Sequence, residues 1–131
     1  MTVELWIDGP LPGQNEIIAA AKAGRGRFNG YARLKAQWSG DVWKLARAAR
    51  LKPWDKGASG PAAISFIWRE RSRRRDFDNI AAGAKFVLDG LVKAGVLGGD
   101  GWSHVWSIEH LFQVDAKRPG VMVRLSPSVP F

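Results

Sequence analysis

The chain has no cysteine, only two histidines and a single tyrosine among its 131 residues. The lack of cysteine excludes disulfides, thiolate zinc sites and a cysteine nucleophile. No apolar run approaches the roughly 18 residues that a membrane span needs. The opening stretch MTVELWIDG carries acids where a signal peptide carries basic residues. These absences predict a soluble, cytoplasmic protein with no membrane partner.

Acidic residues are scarce in the first part of the chain. Residues 1–75 hold 15 of the 20 lysines and arginines but only 6 of the 12 acids, whereas residues 76–131 hold 5 basic and 6 acidic residues. The net charge of +8 is therefore concentrated in the first part. This asymmetry favours a polyanionic partner, of which nucleic acid is the commonest. The alternative is a basic surface that only aids solubility.

Hydrophobic periodicity predicts the secondary structure. Strands are expected over residues 3–8, 62–70, 103–114 and 120–125, and helices over residues 16–24, 31–51 and 79–94. The last two strands, joined by DAKRPG, are expected to form a hairpin, and KPWDKGASGP is expected to be a loop. The fold class predicted is α/β (α+β). A single domain over residues 1–131 would pack a mixed sheet of about four strands with helices.

Two aspartates, Asp76 and Asp78, follow the second predicted strand within RRRDFDN. In an extended chain, residues two apart point to the same side, so both carboxylates would face one cation while Phe77 points into the core. Magnesium takes oxygen ligands and usually few protein carboxylates. The alternative is that Asp78 and Asn79 cap the helix that follows, which leaves Asp76 unexplained.

Two further charged positions accompany this pair. Asp100 lies in a Gly-Gly-Asp-Gly turn after the third predicted helix, and an out-and-back path is expected to return this turn to the first two aspartates. Lys85 precedes Asp89 by four residues, as a surface ion pair or as a positive charge near a scissile phosphate. Trp102 and Trp106, close to Asp100, are candidates for base stacking.

The basic residues around the aspartates are candidates for binding a phosphate backbone. Next to a carboxylate cluster, arginines can hold the DNA strand while a metal acts on it. The candidates are Arg69, Arg71, Arg73, Arg74 and Arg75, with Arg25 and Arg27 in the basic stretch GRGRFNG.

Four stretches of the sequence together resemble the RusA family of Holliday junction resolvases, phage and prophage members above all. They are RRRDFDN, KFVLDGLVKAGVL and GDGW, together with the earlier IDGPLPGQNE. The ordered set of an Arg-Asp-x-Asp-Asn run, a lysine four residues before an aspartate, and a later turn aspartate is more specific than any of its parts.

The resemblance implies a small α/β homodimer that cuts four-way DNA junctions symmetrically, with Mg²⁺ as cofactor or Mn²⁺ in its place. It implies that Asp76, Asp78 and Asp100 are the catalytic carboxylates and metal ligands, and that Lys85 assists catalysis. It also implies a phage or prophage protein acting in the cytoplasm of a bacterial host.

The chain departs from the family pattern at two places. Lys85 follows Asn79 by six residues, a longer spacing than in shorter family members. One added helical turn keeps the lysine near the same face but moves it about 4.5 Å along the axis. Gly99 stands where the family usually has a polar or acidic residue before the turn aspartate.

Three functions are therefore compared. The first is a metal-dependent nuclease for branched DNA. The second is a non-catalytic protein that binds branched DNA and whose nuclease site has decayed, which Gly99 favours. The third is a basic interaction protein in which the aspartates are structural. The presence of all three acidic positions and of Lys85 favours the first.

Overall fold

A four-stranded mixed sheet forms the centre of the protein. The computed structural model describes residues 2–23 and 30–128. The strands are β1 (Val3–Asp8), β2 (Ala62–Glu70), β3 (Val105–Val114) and β4 (Gly120–Ser126), in the spatial order β1-β4-β2-β3. Strand β4 is antiparallel to both its neighbours, and β2 is parallel to β3. The predicted fold class is confirmed.

Five helices are present in the described residues: α1 (Gln14–Ala21), α2 (Gly30–Ala48), α3 (Lys56–Ser59), α4 (Phe77–Ala81) and α5 (Ala84–Lys93). The short α3 lies in the stretch that was predicted to be a loop. Asp55 caps it, because the Asp55 carboxylate accepts a hydrogen bond from the Ala58 amide at 3.1 Å. The longer α2 packs against α5 on one side of the sheet.

Strand β2 alternates fully buried and half-buried residues along its whole length. Ile64, Phe66 and Trp68 point to the buried side, and each is at most 1% exposed. Because successive side chains in a strand alternate between faces, this spacing puts one row of large apolar groups against the helices. The core is completed by Val87 and Leu91 of α5.

The predicted hairpin between the last two strands is wrong. Strands β3 and β4 do not pair with each other, because β2 lies between them. The connection from β2 through α4 and α5 to β3 instead forms a parallel crossover, which requires a helical return along the sheet. As a result, β3 becomes an edge strand.

The predicted third helix, 79–94, is interrupted. Around Gly83 the amides bond to carbonyls three residues back, with Phe86 N–H donating to the Gly83 carbonyl at 3.2 Å. These tighter turns separate α4 from α5. A Cβ at Gly83 would stand 3.1 Å from the Pro12 carbonyl oxygen, so the chain passes close to the β1–α1 loop here. The predicted stop at Gly95 is confirmed, with a left-handed φ of 77°.

No helix within residues 2–23 and 30–128 is long and apolar enough to cross a membrane.

Candidate active site

Asp76 and Asp78 lie at the beginning of α4 and line the same cleft. Asp76 is the N-cap residue with extended backbone angles, and its side chain makes no capping hydrogen bond. Asp78 lies in the first turn, where its carboxylate accepts the Asn79 amide at 3.0 Å. The two aspartates were expected to lie in one extended segment, but only Asp76 has extended backbone angles and Asp78 is already helical. The two carboxylates nevertheless border one open cleft of about 1120 Å³.

Phe77 does not point into the core, and that prediction is wrong. Its side chain is 66% exposed, and its ring stacks on Phe112 of β3 with centroids 4.3 Å apart. Because α4 begins at this residue, Phe77 leaves the strand direction and turns towards the sheet edge. The ring forms an apolar wall of the aspartate cleft, together with Phe112 and Val114.

Arg75 is the most strongly bound arginine of the basic run. Its Nε and Nη2 atoms donate to the two carboxylate oxygens of Glu70, both at 2.8 Å, and Nη1 donates to the Leu11 carbonyl at 2.9 Å. Glu70 is only 6% exposed. The Glu70 hydrogen bonds raise the pKa of Arg75, whereas burial opposes the shift. This pair links the end of β2 to the β1–α1 loop.

The other arginines diverge from one another. Arg73 lines the aspartate cleft, whereas Arg71 and Arg74 line a neighbouring cleft of about 680 Å³ beside α1. The Arg69 guanidinium lies over the Trp6 ring at 5.3 Å from its centroid, on the sheet face away from the helices. Arg75 also lines the aspartate cleft, but its guanidinium is paired with Glu70, so Arg73 is the arginine there that has no carboxylate partner in the described residues. Arg25 and Arg27 lie outside the described residues.

Asn79 has a role that sequence reasoning missed. Its side-chain oxygen accepts the backbone amide of Asn15 at 3.1 Å, which joins α4 to the start of α1. A Cβ at Gly13 would stand 2.5 Å from this oxygen, so the loop approaches α4 closely. The signal in the sequence was Gly13, the second glycine of GPLPGQN, which sequence reasoning explained only as part of a turn. The contact holds the α4 start that carries the aspartates.

Asp100 lies at the opposite end of the sheet from Asp76 and Asp78. It lines a separate cleft of about 300 Å³ with Trp102 and Trp106. The predicted return of the turn to the first two aspartates is wrong within the chain, and the parallel crossover is the reason. The chain leaves the end of β2 near Glu70 and re-enters the sheet beside Ala62, so the two clefts are separated by most of a strand, on the order of 30 Å.

The turn that carries Asp100 is built around His104. A Cβ at Gly98 would stand 2.6 Å from the His104 ring, and one at Gly99 would stand 2.9 Å from it. Both glycines are therefore explained by the histidine that packs over them. Trp102 is 94% exposed and projects from the same turn.

Lys85 lies on the exposed side of α5 and lines neither the cleft of Asp76 and Asp78 nor the cleft of Asp100. It follows Asp78 by seven residues, across the interruption between α4 and α5. Its alternative role as a partner of Asp89 is not seen. The Asp89 carboxylate instead lies 3.5 Å from the Lys35 ammonium of α2.

The described residues offer few donors for a metal ion. Across the described residues, no group of three or more histidine, aspartate or glutamate side chains is arranged to hold a metal. Asp76 and Asp78 provide two carboxylates in one cleft, while Glu70 beside them is occupied by Arg75. Two carboxylates fit Mg²⁺, which commonly takes one or two from protein and completes its shell with waters and phosphate oxygens.

Comparison with known proteins leaves the family open: no protein-family model matches this chain, and no curated protein matches it.

Proposed function

We propose that this protein is a metal-dependent endonuclease that acts on branched DNA, such as a four-way junction, as a homodimer. The observation that carries the proposal is the cleft in which Asp76 and Asp78 lie with Arg73. Metal-dependent phosphodiester hydrolysis needs carboxylates that hold the metal ion and a positive side chain that binds the phosphate. The two aspartates and the arginine can fill these roles. The RusA-like order of the acidic and basic residues is consistent with this chemistry.

The residues of the cleft have separate tasks in this proposal. Asp76 and Asp78 would hold Mg²⁺ or Mn²⁺, and Arg73 would bind a phosphate next to the one that is cut. A bound divalent ion supplies activation of water and stabilisation of the charge on the leaving oxygen. Phe77 and Phe112 make one wall of the cleft apolar. Lys85 would meet DNA that extends from the cleft along α5.

The edge strand β3 supports the dimer. It is ten residues long, and one side of its backbone has no partner strand in the described residues. Such an edge pairs readily with another strand. Large exposed apolar side chains are concentrated on it and beside it: Phe77, Trp102, Trp106, Ile108, Leu111 and Val114. An exposed apolar group of this kind marks an interaction surface.

A twofold axis restricts how two β3 edges can pair. Antiparallel pairing about an axis normal to the sheet sets one residue opposite its own copy. A register centred on Glu109 would oppose two carboxylates, which is unfavourable. A register centred on His110 pairs Ile108 with the partner's Phe112 and Trp106 with the partner's Val114. Burial lowers the pKa of His110, so its two copies would meet uncharged at neutral pH.

This pairing would join the two separated clefts. The aspartate cleft borders the end of β3 at Phe112–Val114, and the Asp100 cleft borders the beginning at Val105–Ile108. Antiparallel strands put the end of one beside the beginning of the other. Asp76 and Asp78 of one protomer would therefore lie near Asp100 of its partner, twice in each dimer. Two matched sites suit the two symmetric cuts that resolve a four-way junction.

The first experiment incubates the protein with a labelled four-way junction or linear duplex, in Mg²⁺, Mn²⁺ or chelator. We expect paired nicks in the junction that require metal. Asp78→Asn and Asp100→Asn should each reduce the rate by about 100-fold or more, while Asp55→Asn, which changes a carboxylate that lines neither cleft, should retain it. Tight junction binding without cuts in either metal would contradict the nuclease function.

Mixing the two inactive variants tests whether the site spans the dimer. A heterodimer of Asp78→Asn and Asp100→Asn protomers contains one site with both substitutions and one with neither. We therefore expect the mixture, after subunit exchange, to regain single nicks but not paired ones. No regain of nicking in the mixture would contradict a site that is shared between the two protomers.

A second candidate function is a non-catalytic protein that binds branched DNA. The separation of Asp100 from the other aspartates favours it, because one protomer alone lacks the third carboxylate. In that case the protein binds the junction with the same affinity whether or not Asp78 is replaced, and it cuts no DNA.

A further inference from the structure

The outer face of α2 carries a row of polar residues that none of the clefts uses. Arg33, Gln37, Gly40, Lys44 and Arg47 follow at spacings of four, three, four and three, which places them on one face of the helix. The residues that α2 buries, Ser39, Val42 and Ala46, lie on the opposite side. We call the five outer residues the α2 stripe. It runs for about 21 Å along the helix axis.

The positive charges of the stripe are not neutralised by the protein. Arg33, Lys44 and Arg47 have exposed side chains. Within residues 2–23 and 30–128, none of the three lies within 4.0 Å of a carboxylate. The lysine that α2 does pair, Lys35, lies on the inner side against Asp89. On α2, the lysine that forms an ion pair therefore lies on the inner side, and the three cations of the stripe, which have no carboxylate partner in the described residues, lie on the outer side.

Gly40, in the middle of the stripe, has no structural reason to be glycine. A Cβ at this position would meet no atom of the described residues within 4 Å, and the φ of Gly40 is not in the left-handed region. Glycine inside a helix is less favourable than alanine by about 0.5 to 1 kcal/mol. The position instead leaves bare backbone between the cationic side chains, and a bulky polymer can approach the helix most closely there.

We propose that the α2 stripe binds the phosphate backbone of a duplex DNA arm, at a site separate from both aspartate clefts. A row of unpaired cations suits a polymer with regularly spaced charges. A membrane surface fits less well, because lipid-binding helices insert an apolar face and α2 buries its apolar face in the core. Arg47 lies 5.5 Å from the Trp43 ring centroid, which holds one cation of the stripe in place. The inference shares a DNA partner with the proposed function but does not require cleavage.

The test compares two triple variants that remove the same charge. Arg33→Gln/Lys44→Gln/Arg47→Gln removes the charges of the stripe, and Lys52→Gln/Lys56→Gln/Lys117→Gln removes three exposed cations outside α2. Binding to a labelled 30-base-pair duplex and to a four-way junction is measured by fluorescence anisotropy from 50 to 200 mM salt, in chelator. Circular dichroism and urea unfolding check that both variants fold.

We expect the stripe variant to bind 10- to 100-fold more weakly, and its slope of log K against log salt to fall by about 2 to 3, because each phosphate contact contributes about 0.9. The control variant should keep the wild-type slope. Gly40→Leu, which changes no charge, should weaken binding by crowding the stripe. Equal losses in the two triple variants, or none in either, would overturn the inference.

The outcomes separate this inference from the proposed function. Junction cleavage with no specific loss in the stripe variant rejects the stripe and keeps the nuclease. A specific loss without any cleavage keeps the stripe and rejects the nuclease. Stripe-dependent binding to phosphatidylserine vesicles, without binding to DNA, rejects the DNA partner in favour of an anionic membrane surface.

Discussion

At the scale of single residues, the basic run before the aspartates divides into different tasks. Arg75 completes a buried ion pair with Glu70, Arg69 covers the Trp6 ring, and Arg73 borders the aspartate cleft. Arg69 lies in β2 and the other arginines lie in the loop after it, so their side chains point to different parts of the surface. A count of adjacent arginines therefore overstates the number available to one phosphate backbone.

Replacing Arg75 with alanine should destabilise the protein by about 3 to 5 kcal/mol, because it leaves the buried Glu70 carboxylate without its partner. Arg74→Ala is the matched control. Arg74 is exposed, and its loss should change the free energy of unfolding by less than about 0.5 kcal/mol. Urea unfolding followed by tryptophan fluorescence measures both. Similar values for the two variants would contradict a structural role for Arg75.

His110 should make stability depend on pH. Its Nδ1 accepts a hydrogen bond from Trp68 Nε1 at 2.9 Å, which requires a neutral ring, and burial lowers its pKa. As pH falls through the ordinary histidine value near 6.5, the unfolded chain takes up the proton first. The stability that the neutral ring provides is present above that value and is lost below it.

The measurement is urea unfolding between pH 5 and 8 for the wild type and for His110→Phe. The wild type should lose stability on acidification more steeply than the variant, and the difference should lie below pH 6.5. Parallel curves would show that His110 does not titrate differently in the folded protein.

At the scale of elements, replacing two helical glycines with alanine should change the stability of the protein in opposite directions. A Cβ at Gly90 of α5 would stand 2.5 Å from the Val42 Cβ of α2, whereas one at Gly40 meets nothing. Gly90 therefore permits the close approach of the two helices. Gly90→Ala should destabilise the protein by about 1 to 3 kcal/mol through overpacking, and Gly40→Ala should stabilise it by up to about 1 kcal/mol. Thermal unfolding of both variants checks the two signs.

Most elements could be predicted from the sequence because their cause is local. The alternation in β2 and the three- and four-residue spacing in α2 are properties of adjacent residues, and Gly95 ends α5 where the pattern ends. The bounds of β2 were predicted correctly. The break at Gly83 was missed. There the chain passes close to Pro12, which is distant in sequence and does not enter the local pattern.

The strand order could not be predicted in the same way. A short connection between β3 and β4 favours a hairpin, but the structure inserts β2 between them. That choice depends on which strand best covers the buried face, a property of the whole core. It also decides the site. Asp76 and Asp78 were correctly expected to share one location, whereas the position of Asp100 depended on a parallel crossover that no local pattern reveals.

At the scale of the whole molecule, the proposed dimer through β3 has a direct test with a closely matched control. Ile108 on β3 is 45% exposed, and Ile18 on α1 is 44% exposed. Ile108→Lys should convert the dimer to a monomer, because it puts a charge into an apolar contact, whereas Ile18→Lys should leave the dimer intact. Analytical ultracentrifugation at micromolar concentration measures both. A monomeric wild type, or a dimeric Ile108→Lys variant, would argue against this interface.

The central place of β4 has a consequence for how the protein is made. Of the four strands of the sheet, β4 is the last to be synthesised, yet it lies between β1 and β2 and provides the described sheet partner of β1. Until β4 emerges, β1 has no partner strand among the described strands, and β1 stays separate from the β2–β3 pair. Completion of the sheet therefore requires synthesis of β4, and a nascent chain stalled before Gly120 should stay sensitive to protease at β1.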